Sequence, residues 1–189
     1  MTVTEPTHDV GVAQALIKGT CPICALLREF QNELIESASP EGAGHLCNFH
    51  AWAVAHATPA NSAIGIFARS LDSAESYRSH ESTCGLCSQI RSEEQLRIRE
   101  MAKELTGRAT LSQWMLQHGS ICLHHAPQLR RSLPTRLQPI VTKIVQRQIA
   151  ELKQELEAYR QQLDQGINAG GGVLGKAAEL LVSQRGILR

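Results

Sequence analysis

Apolar residues recur at three- and four-residue intervals along most of the chain, and no run alternates in the manner of a half-buried strand. Val12, Leu16 and Ile17 mark a short helix over Val10 to Lys18, stopped by Gly19. Leu26, Leu27, Phe30, Leu34 and Ile35 share one face of a helix from Ala25 to Ser37, which the segment Ser39 to Gly44 then breaks. A short helix follows over Ala51 to Ala57, ending near Pro59. Asn61 is a capping residue for a helix running to about Ser79, with Ile64, Phe67 and Leu71 on one side. Gly85 to Leu105 predicts a longer helix, with Leu86, Ile90, Ile98, Met101 and Leu105 inward, a charged outer face, and Gly107 as its stop. Leu111 to Gln117 is a further short helix, ended by Gly119.

The longest periodic stretch lies beyond Pro134. Val145, Ile149, Leu152, Leu156, Tyr159 and Leu163 step by alternating fours and threes, a repeat of 3.5 residues. Two readings fit: a coiled-coil seam that allows self-association through this helix, or an ordinary long helix packed on its own domain. Gly166 to Gly175 is glycine-rich and reads as a hinge or loop, and Lys176 to Gln184 resumes an amphipathic pattern. The expected fold is therefore all-α, in three parts: a first helical module over 1–80, a second over 81–133, and a long C-terminal helix with hinge and terminal helix over 134–189.

The cysteines sharpen this picture. All six fall into two similar sets, Cys21-Pro22-Ile23-Cys24 with Cys47-Asn48-Phe49-His50, and Cys84-Gly85-Leu86-Cys87 with Cys122-Leu123-His124-His125. Each set reads C-x₂-C…C-x₂-H, and each closing His precedes alanine. The spacers are 22 and 34 residues, and the sets start 63 positions apart, which points to an internal duplication. The 12-residue difference is a little over three helical turns, so a longer helix after Cys87 absorbs it.

Three thiolates and one imidazole make a common closed zinc site. The spacing predicts one ion held by Cys21, Cys24, Cys47 and His50, and a second held by Cys84, Cys87, Cys122 and His125. The pairs precede helical patterns, so they are expected at helix N-termini, where backbone N–H groups and the helix dipole favour thiolates. His124 is an alternative ligand to His125, although the match with His50 favours His125. His45 and His118 lie just upstream of the third cysteine of each set, as packing residues, as partners of the ligands, or as an extra ligand for substrate. Disulfides leave the matched histidines unexplained, and a thioredoxin-like dithiol lacks its βαβ context. An iron–sulfur cluster on the same residues is the rival cofactor, although closely packed ferredoxin-type cysteine runs are missing. Ala25 and Ser88 stand where haem attachment needs histidine.

Composition narrows the function. With 42% hydrophobic and 20% charged residues the chain is globular rather than disordered. A formal charge of +1 argues against a specialist nucleic-acid binder. Arg130, Arg131, Arg136, Lys143 and Arg147 form a local basic run, a solvated helix face or a contact for an acidic partner or phosphate backbone, but no aromatics interleave for base stacking. The first ten residues have neither a basic n-region nor an apolar h-region, and no stretch reaches the roughly 18 apolar residues of a membrane span, so a cytoplasmic location is expected. No phosphate-binding loop, nucleophile elbow or H-E-x-x-H motif is present, and a zinc ion with four protein ligands has no open position for hydrolysis.

The residues CPIC at 21–24, GHLCNFHAW at 44–52, and the second C-x₂-C and C-x₂-H pairs resemble those of uncharacterised bacterial proteins with duplicated CPxC…CxxH modules. The glycine-rich turn followed by AAELLVSQRG is similar to the end of such proteins. The resemblance implies a helical fold, metal binding and a bacterial cytoplasmic origin, with no activity attached. The second set lacks proline after its leading cysteine and carries a doubled histidine. The expected function is a metal-stabilised interaction or regulatory module whose partner is another protein.

Overall fold

A computed structural model describes residues 20–39, 41, 46–75, 84–167 and 172–182. The described residues form eight helices and no strand: α1 (Pro22–Glu36), α2 (Asn48–Ala57), α3 (Ala60–Glu75), α4 (Gly85–Gly107), α5 (Ala109–His118), α6 (Ala126–Ser132), α7 (Gln138–Asp164) and α8 (Gly172–Val182). The fold is all-α, as the periodicity requires. The helix expected over Val10 to Lys18 lies outside the described residues. No helix among the described residues is long and apolar enough to cross a membrane.

The chain divides into two compact units that are nested in sequence rather than consecutive. A central unit takes described residues from 27–96, and a flanking unit takes described residues from 20–26 and 97–182. The boundaries pass through α1 after Leu26 and through α4 after Leu96.

In the central unit α2 packs against α3. Leu46, Val54, Ala63, Ile66, Cys84 and Leu86 form a buried cluster, with Leu34, Ala51 and Phe67 packed against it. The inward face of α3 differs from the sequence expectation. Ala63 and Ile66 are buried, whereas Ile64 and Leu71 are each 67% exposed. Apolar residues sit on both sides of this helix, and the side carrying small Ala63 is the one turned to the core. Thr58, buried at the end of α2, donates its hydroxyl to the Ile35 carbonyl at 3.0 Å.

In the flanking unit α7 is the element against which α5, α6 and α8 pack. Ile98, Met101, Leu105, Met115, Ile121, Leu129, Leu133, Val141 and Ile144 are buried. Burial along α7 fades toward its C-terminus: Val141 and Ile144 are buried, Val145 to Tyr159 of the seam are half-buried, and Leu163 is exposed. Part of the seam's cover comes from the chain itself, because α8 packs on α7 and Lys176 bridges Glu155 at 2.7 Å. The turn out of α7 uses Gly166, whose φ of 76° is left-handed. Gly166 N–H donates to Leu163 O and Ile167 N–H to Gln162 O, both at 2.9 Å, which closes the helix with the paired bonds of a Schellman motif.

Candidate metal centres

Each ligand pair lies at the start of a helix. Cys21 and Cys84 immediately precede α1 and α4, and their carbonyls accept the first helical bonds, from Ala25 and Ser88, at 3.1 Å. Cys47 is the N-terminal cap of α2, its carbonyl accepting from Ala51 at 2.9 Å. The fourth pair occupies the turn just ahead of α6, where Cys122 O accepts from Ala126 at 3.0 Å and His125 is the cap. In every pair the second donor stands three positions after the first, one helical turn on, so both face the same side.

The pairs meet in an order that corrects the sequence expectation. Cys21 and Cys24 join Cys122 and His125, and Cys84 and Cys87 join Cys47 and His50. The expected sets Cys21, Cys24, Cys47, His50 and Cys84, Cys87, Cys122, His125 therefore exchange their C-x₂-H halves. All eight residues sit in a cluster, the first cluster in the flanking unit and the second in the central unit. The reason is packing. Leu46 and Val54 beside the Cys47 pair share a core cluster with Cys84 and Leu86, which seats these two arms together. Loop closure opposes this weakly: joining Cys24 to Cys122 across 98 positions, instead of to Cys47 across 22 intervening residues, costs only about 1.2 kcal/mol more for a roughly fourfold longer loop.

Four of the six donor–donor distances in each cluster are close to the edges of a small tetrahedron. In the flanking unit Nδ1 of His125 lies 3.6, 3.3 and 3.2 Å from the sulfurs of Cys21, Cys24 and Cys122, and the last two sulfurs are 3.6 Å apart. In the central unit Nδ1 of His50 lies 3.3, 3.3 and 3.4 Å from the sulfurs of Cys47, Cys84 and Cys87, and Cys47 and Cys87 are 3.7 Å apart. A tetrahedral zinc ion with ordinary bond lengths has edges of about 3.8 Å between sulfurs and about 3.6 Å between sulfur and nitrogen. Within each set the donor atoms lie within 4.8 Å of one another.

The sites differ in shielding. All four residues of the flanking site are buried, whereas Cys47 and Cys87 of the central site are half-buried. His50 is buried, and among the described residues its Nε2 has no hydrogen-bond partner, so its polar contacts there run through Nδ1. The Phe49 ring packs against the His50 ring in a T-shaped pair at a centroid distance of 5.2 Å.

Crowded thiols split their proton affinities. Burial opposes the Cys21 thiolate, but hydrogen bonds from Cys122, Cys24 and His125 outweigh it and hold the thiol well below its ordinary range. Cys24 moves the opposite way, pushed up by its contacts with Cys122 and Cys21, by burial and by their charge. In the central site burial again opposes the Cys84 thiolate, and the His50 contact with backbone donors at Cys47 and Cys87 lowers it. Cys87 is pushed up to about 12 by burial and by the neighbouring charge of Cys84 and Cys47. Three thiolates this close repel one another, and a divalent cation among them removes the conflict.

Sequence reasoning missed the residues that fix the Cys122 arm. Gln148 on α7 accepts from the Ile121 N–H at 3.0 Å and donates to Ser120 Oγ at 2.6 Å, while Arg147 donates to the Gly119 carbonyl. Arg147, counted in the basic run, is thus spent on backbone and on Glu151 at 3.0 Å. Only a glycine fits at 119, since a Cβ there would stand against the Met115 sulfur and 2.7 Å from the Met115 carbonyl. Side-chain amides on a distant helix leave no spacing signal, although the glycine before Cys122 was visible as a helix stop.

His125, not His124, is the donor; His124 is exposed, with its ring 3.3 Å from the Gln128 amide. His118 is exposed, tilts against Trp114 at 5.7 Å, and lines a cleft of about 260 Å³ beside Cys21, Cys24 and Cys122 without joining their donor set. His45 lies outside the described residues. Comparison with protein-family models, curated proteins and solved structures gives no match, so the functional reading rests on the residues of this chain.

Proposed function

We propose that each Cys₃His set holds one zinc ion in a structural role, and that the protein is a bacterial, cytoplasmic interaction or regulatory module built on these two clips. The observation that carries this reading is the recurrence of four donors, drawn from two helix starts, at the edge lengths of a single tetrahedral ion. That compactness favours a mononuclear ion over a multi-iron cluster, whose ligands stand around a larger inorganic core. Four protein donors close the coordination sphere, so the ion offers no site for substrate.

The energetics support a structural role. Burying one aliphatic side chain contributes about 1.5–3 kcal/mol, whereas a structural zinc contributes about 10–16 kcal/mol in zinc-finger peptides. One ion therefore outweighs any single core residue of either unit. The partner is expected to be another protein, given the near-zero net charge and the lack of base-stacking aromatics.

Anaerobic purification followed by elemental analysis tests the cofactor. The expected result is colourless protein with two zinc ions per chain. Brown protein containing iron and sulfide would replace zinc by an iron–sulfur cluster. Chelation is expected to lower the thermal midpoint, and unchanged unfolding after verified metal removal would refute the structural role.

A further inference from the structure

The basic run in the sequence divides in the structure. Arg147 is turned to the Cys122 arm, while Arg130 and Arg131 stand exposed at the edge of a groove between α6 and α7. The groove has a volume of about 440 Å³ and lies wholly in the flanking unit. Leu123, Val141 and Val145 supply apolar wall, and Gln146 and the two arginines the polar rim. No acidic residue lines it. Arg131 Nε donates to the Pro127 carbonyl of its own helix at 3.1 Å, and neither arginine makes an ion pair among the described residues.

We infer that this groove docks an amphipathic helix of a partner protein, with apolar side chains entering between α6 and α7 and flanking aspartates or glutamates meeting Arg130 and Arg131. The inference rests on the interaction-module reading and names its partner's chemistry, but does not depend on the metal's identity. Charge and shape select the occupant together. A concave apolar wall between two helices suits an inserted helix face. Paired guanidinium groups beside it suit carboxylates, which they bind in a planar, bidentate manner. A phosphate backbone satisfies the arginines but leaves the apolar wall uncovered, and a flat lipid surface does not enter a groove.

The test is selection of binders from a random helical-peptide library displayed against the whole 189-residue chain in its metal-loaded form, followed by anisotropy titration of the selected peptides. The expected peptides carry apolar residues at three- and four-residue spacing beside acidic ones. Their affinity is expected to fall about tenfold or more in R130E/R131E, and to weaken as salt rises. V145E, which places a carboxylate in the wall, is expected to abolish binding. Metal content and thermal unfolding of each variant report whether the fold survives, and only folded variants are scored. Selected peptides without acidic residues, or binding unaffected by either variant, would overturn the proposal. So would tighter, arginine-dependent binding to a DNA duplex or to phosphatidylglycerol vesicles. Loss of zinc from the preparation, in contrast, bears on the cofactor reading and not on the groove.

Discussion

Cys47 and Cys87 are half-buried, whereas Cys21, Cys24, Cys84 and Cys122 are buried. Thiol reactivity follows access as well as thiolate character, so alkylation of the metal-loaded protein is expected at Cys47 and Cys87 before the three cysteines of the flanking site. Peptide mass spectrometry after timed iodoacetamide exposure reads this order directly. Acid acts on both sites with one sign. Cys24 and Cys87 are held above the ordinary thiol range, so both carry protons at neutral pH when no ion is bound. Metal uptake must displace those protons, so affinity rises with pH and is lost on acidification. A zinc titration in weakly buffered solution is expected to release at least about one proton per site. Gln148 supplies a third residue-scale prediction. Gln148→Leu leaves the Ile121 N–H unpaired and is expected to cost about 1–3 kcal/mol. In a chelator competition it is expected to weaken one of the two ions and spare the other.

At the scale of elements, glycines carry the most testable geometry. Gly166→Ala places a side chain at a φ of 76° and is expected to lower stability by about 1–2 kcal/mol, read by urea unfolding. Gly119→Ala meets the fixed Met115 carbonyl as well as the Met115 side chain, and is expected to destabilise the protein by about 1–3 kcal/mol while also weakening metal binding at the Cys122 site. Much of this scale was legible in the sequence. The inward residues of α4 and the glycine stops of α4 and α5 follow directly from periodicity and local propensity. Ile64 and Leu71 of α3 did not follow, because a helix with apolar residues on two sides leaves the choice of face to tertiary packing. The seam of α7 is legible in the sequence as an apolar, periodic stripe. Its period alone does not say that α8, from the same chain, supplies part of the cover.

At the scale of the whole molecule, the eight donors were legible and their partnership was not. C-x₂-C and C-x₂-H fix two donors on one helical turn, which is local geometry and therefore visible in spacing. Which pairs meet is decided by tertiary packing, seen in the core that Leu46 and Val54 share with Cys84 and Leu86 in the central unit. Loop length grows too slowly in free energy to prefer neighbouring pairs. The duplicated pattern invites a reading of consecutive modules, while the fold nests one ligand set inside the other along the chain. Removal of one ion is accordingly expected to loosen residues far apart in sequence: the described residues of 20–26 together with those of 97–182 for one site, and the described residues of 27–96 for the other. The most direct test of this account is cadmium NMR on protein loaded with an isotopically enriched ion, correlating each metal with the side-chain protons of its ligands. The account predicts two cadmium signals, one coupled to Cys21, Cys24, Cys122 and His125, the other to Cys47, Cys84, Cys87 and His50. Coupling of Cys21 and Cys24 to the same ion as Cys47 and His50, or no bound cadmium at all, would contradict it.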